Sequence, residues 1–375
     1  MKMDVFQMER MQSTWENLVE YDLSESGVRP VTLQEMIDLG FDLAAILRTP
    51  LGYSQSDGTP ALKQELMKIY PGAAPENIEV TNGTSEANYL VALTLIRDGD
   101  GFAMEIPNYM QLWGIPPSLG ARAATFRLRH EAGWEPDWEE FEKAVRPGTR
   151  LVYVSNPNNP TGSILSEEAM RRIVRGCEKA GAYLIADEVY LGAEIERART
   201  ASFWGMSDRV IVTSGLSKAY GLPGARIGWI IGPPGIVADC WSQHDYITIC
   251  PNKISDAVAR VAVRPDNRER LYARTRAILR ENLPILRAWV ASLGPGFTFR
   301  DPEAGAIVLM KYDAPLPSAD LAERIRRNRS VLIVPGAHLG AEGFLRLWFG
   351  GRPDHLREGL GRIREEIRSG LPAAS

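Results

Sequence analysis

Between residue 59 and about residue 215, short apolar runs alternate with stretches whose apolar positions recur every three or four residues. These are the periods of buried strands and of amphipathic helices. TPALKQELMKIY (59–70) puts Thr59 at a helix cap, Pro60 at the first helical position, and Leu62, Leu66 and Ile69 on one face. The strand-like IEVTNG (78–83) leads into a largely apolar helix over 84–97, stopped by Asp98-Gly99-Asp100-Gly101. A short strand around 102–106, a helix over PDWEEFEKAV (136–145) and the strand LVYVS (151–155) follow. Ser166 caps a helix that turns Met170, Ile173, Val174 and Cys177 inward and ends at Gly181, and YLIAD (183–187) is the next strand. A last strand runs from Arg209 to Thr213 and turns over Ser214 to Ser217. Near-continuous apolar strands separated by amphipathic helices predict an α/β fold with a mainly parallel sheet covered on both faces.

From about residue 270 the pattern changes to Arg-rich helical stretches, a proline- and glycine-rich passage (294–317), and a short strand pair near VLIVPG (331–336) and FLRLWFG (344–350). This predicts a second, smaller α+β domain. The first forty or so residues lack a sheet partner of their own and are expected to pack with it. The expected division is a large domain over 45–270 and a discontinuous small one over 1–44 and 271–375. No internal repeat or low-complexity segment interrupts it.

Composition narrows the function. The chain has 375 residues, 45% hydrophobic content and a net charge of -4, enough for one large core and a smaller one but without the basic face that nucleic acid needs. The cluster Arg324, Arg326, Arg327 and Arg329 reads as a solvated helix face. Three cysteines without paired short spacing suggest neither a disulfide framework nor a zinc site, and four scattered histidines give metal or triad chemistry little material. The N-terminal MKMDVFQMERMQSTWEN has no apolar core of the signal-peptide kind, and no apolar run approaches membrane length. A reducing, cytoplasmic setting is the expectation.

Candidate chemistry lies at strand ends. Asn159, in SNPNNPTG (155–162), follows the strand ending at Ser155; Asp187, in LIADEVY (184–190), ends the next; Lys218, in TSGLSKAYGLPGARIGW (213–229), follows the strand ending at Thr213. An isolated lysine is most often a solvated surface residue. Three polar blocks sharing one placement is a different matter, because ligands of open α/β sheets bind beyond the carboxyl ends of the strands. A lysine forming a Schiff base with a carbonyl cofactor needs an apolar strand leading in, a tight turn, and a nearby cation for a phosphate, the part Arg226 would play.

Together with GYSQSDGTPALKQEL (52–66), these blocks resemble those of the class I/II aminotransferases, pyridoxal-phosphate (PLP) enzymes of the aspartate-aminotransferase fold, fold type I. The likeness covers most of the chain. It implies that Lys218 carries the cofactor as an aldimine and shuttles a proton, with Asp187 facing the pyridine nitrogen, and Asn159 and Tyr190 at the phenolate oxygen. Tyr109 would stack on the ring, though core packing also accounts for a tyrosine there. Gly83, Thr84, Ser85, Ser217, Arg226 and, less directly, Ser214 would hold the phosphate. Gly215 stands where many relatives have a serine, which leaves the set of hydroxyl donors open. Tyr53 matches a tyrosine that reaches the phosphate of a neighbouring subunit, implying a homodimer with shared active sites. Arg346 matches the arginine that grips the substrate α-carboxylate, Gly27 lies in a segment that covers the substrate with its backbone N–H near the same carboxylate, and Asn159 would also bind the substrate.

The resemblance implies transfer of the amino group of an L-amino acid to a 2-oxo acid. A lyase or cyclase of the same fold, like capreomycidine synthase, needs the same cofactor residues, and a non-catalytic PLP-sensing domain is a third reading, with Lys218 and Arg346 arguing against it. The substrate side chain stays open, as does which of Glu25, Gln111, Trp113 and Tyr246 faces it.

Overall fold

Eight strands, most with apolar residues on both faces, build one large sheet in the computed structural model, which describes residues 2–196 and 199–370. In chain order the strands of the whole molecule are β1 Tyr21–Asp22, β2 Ile78–Thr81, β3 Gly101–Ile106, β4 Arg122–Arg129, β5 Glu135–Pro136, β6 Thr149–Ser155 and β7 Tyr183–Asp187. There follow β8 Val210–Gly215, β9 Gly228–Ile231, β10 Phe297–Phe299, β11 Ile307–Tyr312, β12 Val331–Leu332, β13 Val334–Pro335 and β14 Phe344–Trp348. The large sheet runs in the order β2-β9-β8-β7-β6-β3-β4-β5. Its centre, from β8 to β4, is parallel, while β9 runs antiparallel to both neighbours and β5 antiparallel to β4.

Local signals place the helices that cover it. The Thr59 hydroxyl accepts the Leu62 N–H at 3.3 Å to open helix Pro60–Met67, and Ser166 accepts the Ala169 N–H at 3.1 Å to open Glu167–Ala180, which Gly181 closes in the left-handed conformation at φ 73°. The helix expected over 136–145 is shorter, Trp138–Ala144, because Asp137 takes the cap position and accepts the Glu140 N–H.

The proline- and glycine-rich passage differs from expectation by containing β10 and β11, which pair antiparallel and continue through β14 to β13 in a four-stranded sheet. The buried IVLM of β11 is too short a run, among too many turn residues, to stand out by periodicity. The N-terminal segment also carries a strand of its own, since β1 pairs in parallel with β12. Helix Pro265–Ala291 spans residue 270, so the expected division point falls inside one element. Among the described residues no helix is long and apolar enough to cross a membrane.

Candidate active site

Parallel pairing brings the polar ends of three strands together, with Ser155 opposite Asp187 and Asp187 opposite Thr213. A cavity of about 330 Å³ opens beyond them, and Thr84, Ser85, Tyr109, Asn159, Asp187, Tyr190, Ser217, Lys218 and Arg226 line it. Nine residues singled out from five separate stretches therefore meet in one place.

Beyond β8 the chain turns back on itself, Leu216 N–H donating to the Ile227 carbonyl at 3.0 Å, and this turn presents Lys218. The Lys218 Nζ donates to Ser26 Oγ at 2.8 Å and lies 3.9 Å from Glu25 Oε2. The Lys218 charge, helped by the Gly27 and Ser26 N–H groups against the cost of burial, holds the Glu25 carboxyl down at about 2. Asp187 sits at the floor. Its Oδ2 accepts from Asn88 Nδ2 at 2.9 Å and Tyr153 Oη at 3.2 Å, and its Oδ1 from the Val189 N–H at 3.1 Å. Burial pushes its carboxyl pKa up, and these donors together with Lys218 oppose that.

The loop that carries Asn159 is pinned from below by Glu105, whose Oε1 accepts from the Ser155 N–H (2.7 Å), Asn158 Nδ2 (3.0 Å) and Asn108 Nδ2 (3.1 Å). Burial raises the Glu105 carboxyl to about 7. Asn159 Oδ1 accepts from an Arg346 guanidinium N–H at 3.1 Å, and Tyr190 donates to the Ser26 carbonyl at 3.2 Å. The Tyr109 hydroxyl donates to Glu9 Oε1 at 2.8 Å, while Phe6 packs edge-on against its ring.

Gly83, Arg346, Gly27, Tyr53 and Ser214 lie outside the cavity wall, whereas Arg226 is part of it. Gly83 caps helix Thr84–Leu95 at φ 97°, and a Cβ there would come within 2.3 Å of the Arg226 guanidinium. Arg226, itself left-handed at φ 50°, bonds the Pro223 and Asn82 carbonyls. Arg346 is buried behind Asn159 and also donates to the Ser24 carbonyl. Gly27 packs beside Lys218, with the Lys218 Cδ 3.5 Å from where its Cβ would stand. Tyr53 is 80% exposed and does not reach this chain's cavity. The Ser214 hydroxyl donates to the Glu188 carbonyl at 3.2 Å, away from the cavity. Of the four residues considered for the substrate side chain, Glu25 lines the cavity, whereas Gln111 bonds the Ser85 carbonyl and Trp113 and Tyr246 face out.

Four site residues escaped the motifs. Asn88 had a readable signal, as a polar residue beside the buried Ala87, Leu90 and Val91 in an apolar helix. Tyr153 lies inside an apolar strand, and Ser26 and Glu9 reach the site only through the packing of the N-terminal segment.

This sheet and this cavity define a protein of the PLP-dependent class with fold type I, the fold it shares with an aspartate aminotransferase of Thermus thermophilus (TM-score 0.89, 97% of each chain). The chain belongs to the aminotransferase class I and II family, whose model matches residues 16–363. It is 29% identical to capreomycidine synthase of Streptomyces vinaceus over 352 residues, 92% of this chain and 89% of that one. A crystal structure of a PLP-dependent aminotransferase from Streptococcus suis superposes with a TM-score of 0.92 at 31% identity over 100% of both chains. The PLP-dependent cyclase OrfR gives 0.89 at 26% over 98% of both.

PLP is the cofactor of this family, and the residues present fit it. Thr84 Oγ1 is buried at the cavity edge without a hydrogen-bond partner, beside the amino end of a helix whose first N–H groups are free to bind an anion. Arg226 stands over that helix end, and among the described residues it forms no ion pair with a carboxylate. A buried aspartate on the floor suits a protonated ring nitrogen, which would offset the cost of burying its charge. Gly215 completes the fit, because a Cβ there would lie 2.6 Å from Thr84 Oγ1. The Thr84 hydroxyl thus occupies the space that a serine at 215 would need.

Proposed function

We propose that this protein is an aminotransferase, moving the amino group of an L-amino acid to a 2-oxo acid with Lys218 as the residue that carries the cofactor. The reading rests above all on Lys218 facing the same cavity as Asp187, on adjacent strand ends, with the buried Arg346 behind Asn159. When bound, PLP would supply an electron sink for the charge left on the substrate α-carbon.

The chain's own residues would do the rest. Lys218 would hold the cofactor and, when its amine is free, would serve as the base that takes the substrate α-proton and as the acid that gives a proton back. Asp187 keeps the ring nitrogen protonated, and Asn88 and Tyr153 hold Asp187. Asn159 and Tyr190 bind the phenolate oxygen, and Tyr109 covers the ring. Thr84, Ser85, Ser217, the helix end after Gly83 and Arg226 bind the phosphate. Arg346, whose Nε is buried without a partner, grips the α-carboxylate with help from the Gly27 segment.

A second copy of the chain completes the site in this reading. Tyr53 is exposed, as are Leu47, Leu51 and Tyr246, and a partner's Tyr53 would reach the phosphate. The division into a large unit (45–270) and a discontinuous small one (1–44 and 271–375) belongs to the same proposal.

A second reading, elimination or cyclisation on the same cofactor, is favoured by the likeness to capreomycidine synthase and to the cyclase. Product analysis separates the two. Holoenzyme mixed with its amino acid should convert to the amine form of the cofactor with one equivalent of 2-oxo acid. Ammonia or a cyclised product without 2-oxo acid would replace the first reading by the second. Lys218→Ala should lose the covalently held chromophore and at least about a hundredfold in rate; an unchanged covalent chromophore would refute the assignment.

A further inference from the structure

The N-terminal helix Gln7–Trp15 turns one face to the cavity. Glu9, Gln12 and the C-capping Glu16, three and four residues apart, all line it, as residues so spaced on a helix must share a side. Glu25 lines the same space next to Lys218. Three carboxylates thus border a cavity already walled by the proposed catalytic residues.

Two of the three, Glu9 and Glu16, have no cationic partner among the described residues. Glu16 makes no side-chain hydrogen bond or ion pair among the described residues, and burial with Asp22, Glu25 and Glu9 nearby raises its carboxyl pKa. Glu9 Oε1 takes the Tyr109 hydroxyl, a neutral partner. Glu25 is the best matched of the three, with Lys218 at 3.9 Å and its Oε2 accepting the Ser26 and Gly27 N–H groups at 2.8 and 3.1 Å. Arg346 forms no ion pair with any of them among the described residues, donating instead to Asn159 and the Ser24 carbonyl, though its charge acts on Glu25 and Glu9 from farther off.

That a ligand belongs here is marked independently by two buried polar atoms without partners, Thr84 Oγ1 at the cavity edge and Arg346 Nε behind Asn159. Arg346 also sets a direction. The Ser24 carbonyl that it bonds accepts from Gln12 Nε2 as well, at 2.8 Å, so the carboxylate grip lies against the middle of the helix face, with Glu9 and Glu16 about one turn to either side. An amino acid held there by its α-carboxylate has its side chain within reach of that face.

We infer that the cavity selects an amino acid whose side chain carries a cation, an ammonium or a guanidinium, and that Glu9, Glu16 and Glu25 set this preference. The inference rests on the reading of the cavity as an α-amino-acid site. Opposite charge in a partly desolvated cleft favours such a ligand and disfavours an acidic one.

The test is titration of wild-type holoenzyme with arginine, lysine, ornithine, citrulline, leucine and glutamate, reading apparent Kd from the change in the cofactor spectrum. Citrulline is close to arginine in shape but has a neutral side chain. At least one of the three cationic amino acids should bind about tenfold or more tighter than citrulline and leucine, with glutamate weakest. Glu16→Gln, at an exposed side chain without a hydrogen bond or ion pair among the described residues, should raise KM for the preferred cationic amino acid severalfold at nearly unchanged kcat and leave citrulline binding as it was. Glu9→Gln, which can still accept from Tyr109, should act the same way. Equal binding of citrulline and the best cationic amino acid, or equal weakening of both in Glu16→Gln, overturns the inference. A spectrum that answers to neutral or acidic amino acids alone removes the inference but keeps the amino-acid site. A spectrum that answers to none removes both.

Discussion

Asn88 Nδ2 donates to Asp187 Oδ2 at 2.9 Å across 99 residues of sequence, and Asn88 Oδ1 in turn accepts the Thr213 hydroxyl at 2.7 Å. The helix after the proposed phosphate site is thereby tied to the floor beneath the proposed ring site. One side chain orients the acid, and a neighbouring strand orients that side chain.

Asn88→Ala should therefore weaken PLP binding by about tenfold or more, since a buried charged acceptor deprived of its donor costs roughly 1–3 kcal/mol. Asn88→Asp should be worse, because it sets a second carboxylate against Asp187. Cofactor titration of the apoprotein measures both, and an unchanged Kd in Asn88→Ala would show that Tyr153 and the Val189 N–H suffice.

Gly215→Ala should lower both thermal stability and cofactor affinity. The added Cβ would meet Thr84 Oγ1 at 2.6 Å and the Ile227 carbonyl at 2.8 Å, and overpacking of this kind costs about 1–3 kcal/mol. A melting curve and a PLP titration test it, and Gly215→Ser should be no milder.

A buried histidine makes stability depend on pH. His244 Nδ1 lies 2.7 Å from Glu79 Oε1, with its Nε2 2.8 Å from Thr248 Oγ1 and 3.4 Å from Glu86 Oε2. Burial acts against the imidazolium, but these acidic partners win and raise it from 6.5 to about 9. The folded state then holds its proton more tightly than the unfolded chain does. This contribution is present in full below about pH 6.5 and is lost as pH rises through about 9. The apoprotein should lose more Tm between those values than His244→Gln does, and identical slopes would refute the assignment.

Sedimentation should find a dimer, and Tyr53→Phe should weaken cofactor binding severalfold without dissociating it. A monomer with full cofactor affinity would remove Tyr53 from the site.

Much of the proposed site was legible in the chain. Lys218, Asp187 and Asn159 stand at the ends of apolar strands, and a parallel sheet must bring such ends to one edge. Thr84 and Ser85 open a helix whose start was readable from Gly83. The chain also carried its own caps at Thr59, Ser166 and Gly181, because capping is a contact between residues close in sequence. β10 and β11 were not legible, since turn residues around short runs hide their period.

What the sequence determined by itself was the local grammar: α/β alternation, the capped helices, and the motif residues that follow each strand. What the tertiary structure alone decided was how distant parts meet. The N-terminal helix brings Glu9 and Glu16 to the cavity, the Ser24 carbonyl joins Gln12 to Arg346, and Thr84 fills the space beside Gly215. Period and capping act over a few residues and leave a mark in the chain, whereas a contact between residues hundreds of positions apart depends on the packing of whole elements and leaves none.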